Sequence, residues 1–131
     1  MRHPDWQRRF AAFGRARAAM PFAWGANDCC TFAAAAVEAL TGEDPMSTIP
    51  PYDGAMEAGR MVEEGGGLKP LADSFLGASV TPSMAAVGDI VLVVNAGRQM
   101  LAVCNGTNVL APGETGVAVL GMETAIAAWK I

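Results

Sequence analysis

One short segment limits what this chain can fold into: residues 29–40 read CCTFAAAAVEAL, a helical pattern made largely of alanine. Asn27 or Asp28 can cap the start of this helix, and Gly42 is a typical stop signal just after its end. Helices with small side chains can be approached closely by their neighbours. We therefore predict that this helix lies in the centre of the fold.

The segments on either side of this helix change character along the chain. Residues 5–20 carry apolar side chains at a helical period, with Asp5 as the candidate N-cap. Two short helices are predicted in AMEAGRMVEEGGG, ending at Gly65, and in LKPLADSFLG. From Val87 onward, short β-rich runs are separated by the turn sequences NAGR, GTN and PGETG. The last segment, METAIAAWKI, is predicted to form a short helix with Trp129 packed inward.

This order of elements predicts the fold class. Helices followed by hairpin-connected strands are the α+β pattern, and 131 residues are the size of one domain. We predict a single α+β domain over residues 1–131, in which the helix from Cys29 to Leu40 packs on an antiparallel sheet formed after Val87. The proline-containing segment GEDPMSTIPPYDG is predicted to be a surface loop, either a substrate-binding lip or a connector.

Charge and composition argue against several classes of function. The net charge of −4 disfavours a nucleic-acid surface, and the arginines at positions 8, 9, 15 and 17 are predicted to line a solvated helix face. The apolar runs are too short to cross a bilayer, and no export signal is predicted. The single histidine, His3, and the lack of a Cys-x-x-Cys pair leave a metal site short of ligands, so neither a metal nor another cofactor is predicted.

The adjacent thiols Cys29 and Cys30 are the residues with the most reactive chemistry. The N–H groups and dipole at a helix N-terminus stabilise a thiolate, so Cys29 stands where a nucleophile would be activated. The alternative is that both cysteines are small buried apolar side chains, the commonest fate of a free cysteine. The composition of the segment leaves both interpretations open. Asp89, which follows Gly88, is predicted to have only the ordinary turn-forming role.

Three segments together resemble a known family. WGANDCCTFAAAAV resembles the nucleophile segment of the NlpC-type papain-like cell-wall peptidases, in which a Trp/Tyr-Gly turn leads through Asp-Cys into the central helix. VGDIVLVV resembles the first sheet strand of that family, and MLAVCNG resembles the next strand, which normally begins with the catalytic histidine. More narrowly, nearly the whole chain resembles an uncharacterised branch of this superfamily encoded by tailed phages and prophages. The resemblance implies a papain-like fold with Cys29 in the nucleophile position.

The catalytic partners that the resemblance implies are missing. The family histidine position falls on Met100, and the position of the residue that orients the imidazole falls on Ala111. His3, before the first helix, is predicted to have no catalytic role. We expect the Met100 side chain to lie near the Cys29 sulfur, Cys30 to be buried, and the Cys29 thiol to be mostly protonated at neutral pH.

The resemblance implies a structural or interaction protein of a phage-type tail, with a decayed papain-like site. Its partners would be other tail proteins and its location the virion, with neither nucleic acid nor membrane as a partner. The alternative is an active cysteine peptidase or amidase that cleaves peptidoglycan peptides during phage entry, using a base that the sequence does not identify.

Overall fold

The N-terminal half of the chain is helical in the computed structural model, which describes residues 1–131. The helices are α1 (Trp6–Arg17), α2 (Cys29–Thr41), α3 (Ala55–Glu64) and α4 (Leu68–Leu76). The predicted bounds of α2 are confirmed, with Asp28 as its N-cap and Gly42 in the left-handed conformation after its last residue. Asp5 precedes α1 as predicted, but its carboxylate makes no capping hydrogen bond and pairs with Arg8 and Arg9 instead.

The C-terminal half forms one antiparallel sheet of five strands in the order β4-β3-β2-β1-β5. The strands are β1 (Ile90–Asn95), β2 (Arg98–Cys104), β3 (Asn108–Pro112), β4 (Val117–Gly121) and β5 (Ala125–Trp129). The first four are a meander joined by the predicted turns, whereas β5 crosses back to lie beside β1. The prediction of a single α+β domain is confirmed.

The final segment corrects the predicted closing helix. Residues 122–124 form one 3-10 turn, and Ala125–Trp129 then pairs as a strand with β1. Alanine has no strong preference for strands, so the neighbouring β1 backbone decides the conformation of this segment. The inward position of Trp129 is confirmed, because its indole N–H donates to Asp73 Oδ1 at 3.0 Å and to the Gly77 carbonyl at 3.1 Å.

The sheet separates two apolar clusters, and α2 lies in the larger one. On the helix side, Phe32, Ala36 and Leu40 of α2 pack with alternate sheet residues such as Leu101 and Val103. The Phe32 ring packs edge-to-face with the Phe13 ring of α1, with the two ring centroids 5.1 Å apart. The small side chains of α2 therefore allow it to pack between α1 and the sheet, which confirms its predicted central place.

A buried carboxylate fastens both ends of the chain to the start of β1. Asp89 is fully buried; its carboxylate accepts hydrogen bonds from the backbone N–H groups of Ala86 and Ile131, both at 2.9 Å. Arg2 Nη2 lies 3.0 Å from Asp89 Oδ1, and Lys130 Nζ contacts the second carboxylate oxygen. Asp89 does form the predicted turn, through its bond to Ala86. It also neutralises two cations, which the sequence did not indicate.

Candidate thiol site at the start of the central helix

Asp28 organises the segment that presents the thiols. Its carboxylate accepts the backbone N–H of Thr31 at 2.9 Å, and the Thr31 hydroxyl accepts the backbone N–H of Asp28 at 2.8 Å. This reciprocal pair is a capping box, which satisfies two amides that would otherwise lack partners. The second Asp28 oxygen accepts the Gly25 N–H at 2.8 Å. Cys29 and Cys30 are consequently fixed as the first two residues of α2.

Tyr52 connects the proline-containing loop to this helix start. Its hydroxyl donates to Asp28 Oδ2 at 2.6 Å, and the pKa of this partly buried hydroxyl is raised by loss of solvent and by the Asp28 hydrogen bond. Gly25 lies against the same loop, because a Cβ on Gly25 would be 1.7 Å from the Tyr52 carbonyl oxygen. The loop over residues 42–54 therefore packs beside the thiols, and sequence patterns had no signal for the Tyr52–Asp28 contact, which joins residues 24 positions apart.

The two thiols interact with each other and differ in acidity. The pKa of Cys29 is lowered, first by a hydrogen bond from the Cys30 thiol and also by one from the Leu101 backbone. The pKa of Cys30 is raised, because its proton is held by Cys29 and because the thiol is removed from solvent. Cys29 is therefore the more acidic of the two thiols. Burial of Cys29 raises its pKa, as expected, but the hydrogen bonds outweigh this effect and the net direction is downward.

Met100 does not lie where the resemblance placed it. Its side chain packs against the cluster on the sheet face away from α2, which includes Val91 and Val93, and Ala111 is fully buried in the same cluster. The neighbouring residue Leu101 faces α2 and the thiols instead. The expected contact between Met100 and the Cys29 sulfur is therefore wrong. Successive residues of a strand point to opposite faces of the sheet, so it is Leu101, one residue later, that faces Cys29.

Cys30 is also less enclosed than expected. It is partly exposed, as is Cys29, and it lines an apolar cavity of about 40 Å³ between α2, α3 and α4. Leu71, Phe75 and Leu101 are among the other lining residues. The two thiols thus lie in different surroundings: Cys30 faces this apolar space, whereas Cys29 lies against the Leu101 backbone.

His3 is remote from the thiols. Its backbone N–H donates to the Leu40 carbonyl at 2.7 Å, and its imidazole lies beside Gly42, so it stands at the C-terminal end of α2. The 13 residues of α2 separate this end from Cys29, a length of about 20 Å at the rise of an α-helix. Within one molecule, the chain therefore brings no imidazole to Cys29.

No group of three or more histidine, cysteine, aspartate or glutamate side chains is arranged to hold a metal ion. None of the helices is long and apolar enough to cross a membrane.

Fold and site together define an α+β domain with two adjacent thiols, and no imidazole beside them, at the start of its central helix. A family model described as a domain of unknown function (DUF6950) matches residues 1–131, and the chain belongs to this family. No curated protein matches the sequence.

The thiol pair predicts an unequal response to alkylation. At neutral pH we expect iodoacetamide to modify Cys29 faster than Cys30, since thiolate is the reactive form and the pKa of Cys29 is the lower one. Replacing Cys30 with alanine removes the donor to Cys29, so the midpoint of the alkylation rate against pH should move upward. Peptide mass mapping measures both effects, with Cys104→Ala as the control. Faster labelling of Cys30, or an unmoved midpoint in Cys30→Ala, would contradict the assignment.

Proposed function

We propose that this protein is a structural or interaction component of a phage-type tail, built on a papain-like domain of the NlpC type whose hydrolytic site has decayed. One observation carries the loss of hydrolysis: the only imidazole of the chain stands at the far end of α2 from Cys29. The tail assignment rests on the resemblance of the sequence to the phage and prophage branch. The proposed partners are other tail proteins, and the proposed location is the virion.

The physical argument concerns the steps that follow nucleophilic attack. Cleavage of an amide by a thiol requires a group that protonates the departing amine, and a positioned general acid contributes roughly 100- to 10,000-fold. In this site the residue on the strand facing Cys29 is Leu101, which cannot transfer a proton. Leu110 extends the same apolar surface from β3. A scaffold can keep its fold for docking after its chemistry has been lost.

A papain-like topology is supported by the way in which three segments of this chain pack together. Cys29 begins the central helix, that helix packs on β2, and β1 begins at the Gly88-Asp89 turn. These are the three segments on which the resemblance depends. Their packing against one another favours the NlpC-type interpretation over an unrelated α+β domain.

An active cysteine peptidase or amidase is the second candidate, and the lowered pKa of Cys29 favours it. That enzyme would cleave peptidoglycan peptides with a base contributed by another molecule. The adjacent Cys30 thiol is a candidate proton donor, but its raised pKa makes it a poor acid toward a departing amine. The first candidate is therefore the better supported.

The two candidates predict different results with cell-wall fragments. We expect the purified protein to release no more peptide than its Cys29→Ala variant, as measured by mass spectrometry of the soluble products. Cys30→Ala serves as the matched control, because it changes the neighbouring thiol while keeping the nucleophile. Release that disappears only in Cys29→Ala would overturn the proposal of a decayed site. Antibody labelling of purified particles tests the location, and a free monomeric protein found away from tails would overturn the structural role.

A further inference from the structure

A second concavity lies on the outer side of α2, and neither cysteine lines it. It is a groove of about 200 Å³. Its floor includes Ala34 and Ala35 of α2, and its walls carry Arg17 together with Glu38 and Asp44. Residues of both charge signs thus line one groove, together with these two alanines and with Ala26, Thr31 and Met46.

Arg17 has an unused donor pair beside this groove. All of its hydrogen bonds go through Nη1, to Asn27 Oδ1 at 2.8 Å and to the Ala26 carbonyl at 3.5 Å. No carboxylate lies within salt-bridge distance of Arg17. Partial burial of its guanidinium lowers the pKa of the group. The Phe13 ring, with its centroid 5.8 Å from Arg17 Cζ, supports the group from one side. The Nε and Nη2 donors are therefore held in a fork that fits a carboxylate.

The opposite end of the groove carries carboxylates without cations. Glu38 is exposed, and neither Glu38 nor Asp44 takes part in a salt bridge. The Asp44 side chain makes one hydrogen bond, in which Oδ1 accepts the backbone N–H of Met46 at 2.8 Å. Along α2, seven residues separate Thr31, which also lines the groove, from Glu38. That separation corresponds to about 10 Å at the rise of an α-helix.

We propose that this groove binds a short peptide with both ends free, its terminal carboxylate on Arg17 and its terminal ammonium between Glu38 and Asp44. A peptide of about three residues spans about 10 Å when extended, whereas a single amino acid is too short to reach both ends. The alanine floor fits small side chains along the middle of the ligand. This assignment is independent of the proposed tail role, since it uses neither Cys29 nor any property of a virion.

Trialanine is the probe that tests the site. Titration into isotopically labelled protein should move the amide resonances of residues 31–38 in a saturable way. N-acetyl-trialanine and trialanine amide each lack one charge, and each should bind about tenfold more weakly, the loss expected for one charge-assisted hydrogen bond. Absence of saturable shifts at millimolar trialanine, or equal affinity for the capped peptides, would overturn the proposal.

Variants separate the two ends of the groove. Glu38→Gln should weaken trialanine binding severalfold, whereas Glu43→Gln, which changes an exposed carboxylate outside the groove, should leave it unchanged. Arg17→Gln should have a larger effect than Arg15→Gln, and the amide spectrum of each variant checks its fold. The exposed Glu38 carboxylate takes part in no ion pair that stabilises the fold, so unchanged affinity in Glu38→Gln would overturn the assignment even if Arg17→Gln fails to fold.

Discussion

Replacing the buried carboxylate with an amide, in Asp89→Asn, is expected to lower the free energy of unfolding by about 3–5 kcal/mol. Asparagine keeps the shape of the side chain but removes the charge that neutralises Arg2 and Lys130. Its NH₂ group would also face donors, since the carboxylate accepts the backbone N–H groups of Ala86 and Ile131. Urea unfolding followed by circular dichroism measures the change.

A matched control is available on α1. Asp5 also pairs with two arginines, Arg8 and Arg9, but these groups lie at the surface. Exposed ion pairs contribute little because water and salt screen them. We expect Asp5→Asn to shift the urea midpoint far less than Asp89→Asn does. Similar shifts in the two variants would show that the buried network is not a principal source of stability.

The second large effect is expected at the turn that supports the thiol site. In Gly25→Ala, the new Cβ would lie 1.7 Å from the Tyr52 carbonyl oxygen and 2.7 Å from its carbonyl carbon. These are backbone atoms, so the loop itself must move, which breaks the Tyr52–Asp28 hydrogen bond. The left-handed φ of 79° adds strain for any residue with a Cβ. Together the two costs lower the free energy of unfolding by about 3 kcal/mol.

Gly97→Ala separates the two contributions. Gly97 has a φ of 76°, close to that of Gly25, but a Cβ added at Gly97 would have no atom within 4 Å. This variant should therefore show only the conformational strain, about 1–2 kcal/mol. Urea midpoints of the two variants give the difference, which reports the clash with Tyr52. An equal loss of stability in both variants would mean that the loop over residues 42–54 can move away from residue 25 without lowering the free energy of unfolding.

The parts of the fold that could be predicted from the sequence are those that local interactions determine. The start of α2 at Cys29 follows from the Asp28 cap, and its end follows from the left-handed Gly42. The hairpins between β1 and β4 follow from their turn residues. The closing strand Ala125–Trp129 could not be predicted in this way, because its conformation depends on hydrogen bonds to β1.

The site was predicted only in part for a related reason. A strand with one solvated face reveals its register by alternating polarity, but β1 is buried on both faces: Val91, Leu92 and Val93 are all inaccessible to solvent. Its partner β2 is likewise enclosed from Leu101 to Cys104. Polarity therefore does not distinguish whether Met100 or Leu101 faces the helix. The position of Cys29 at the start of α2 could be predicted without knowing the strand register, because the adjacent Asp28 cap determines it.

The Asp89 cluster also sets an order on how the domain can be completed during synthesis. Arg2 is made before its partners, because its guanidinium donates to the Val87 carbonyl, to Asp89 and to the Ile131 carbonyl, which lies 129 residues later. The strands β1 to β4 can pair with their sequence neighbours as they emerge, whereas β5 must return to the free edge of β1. The full set of Arg2 contacts therefore forms only after Ile131 has been made, and β5 is the last strand of this sheet to pair.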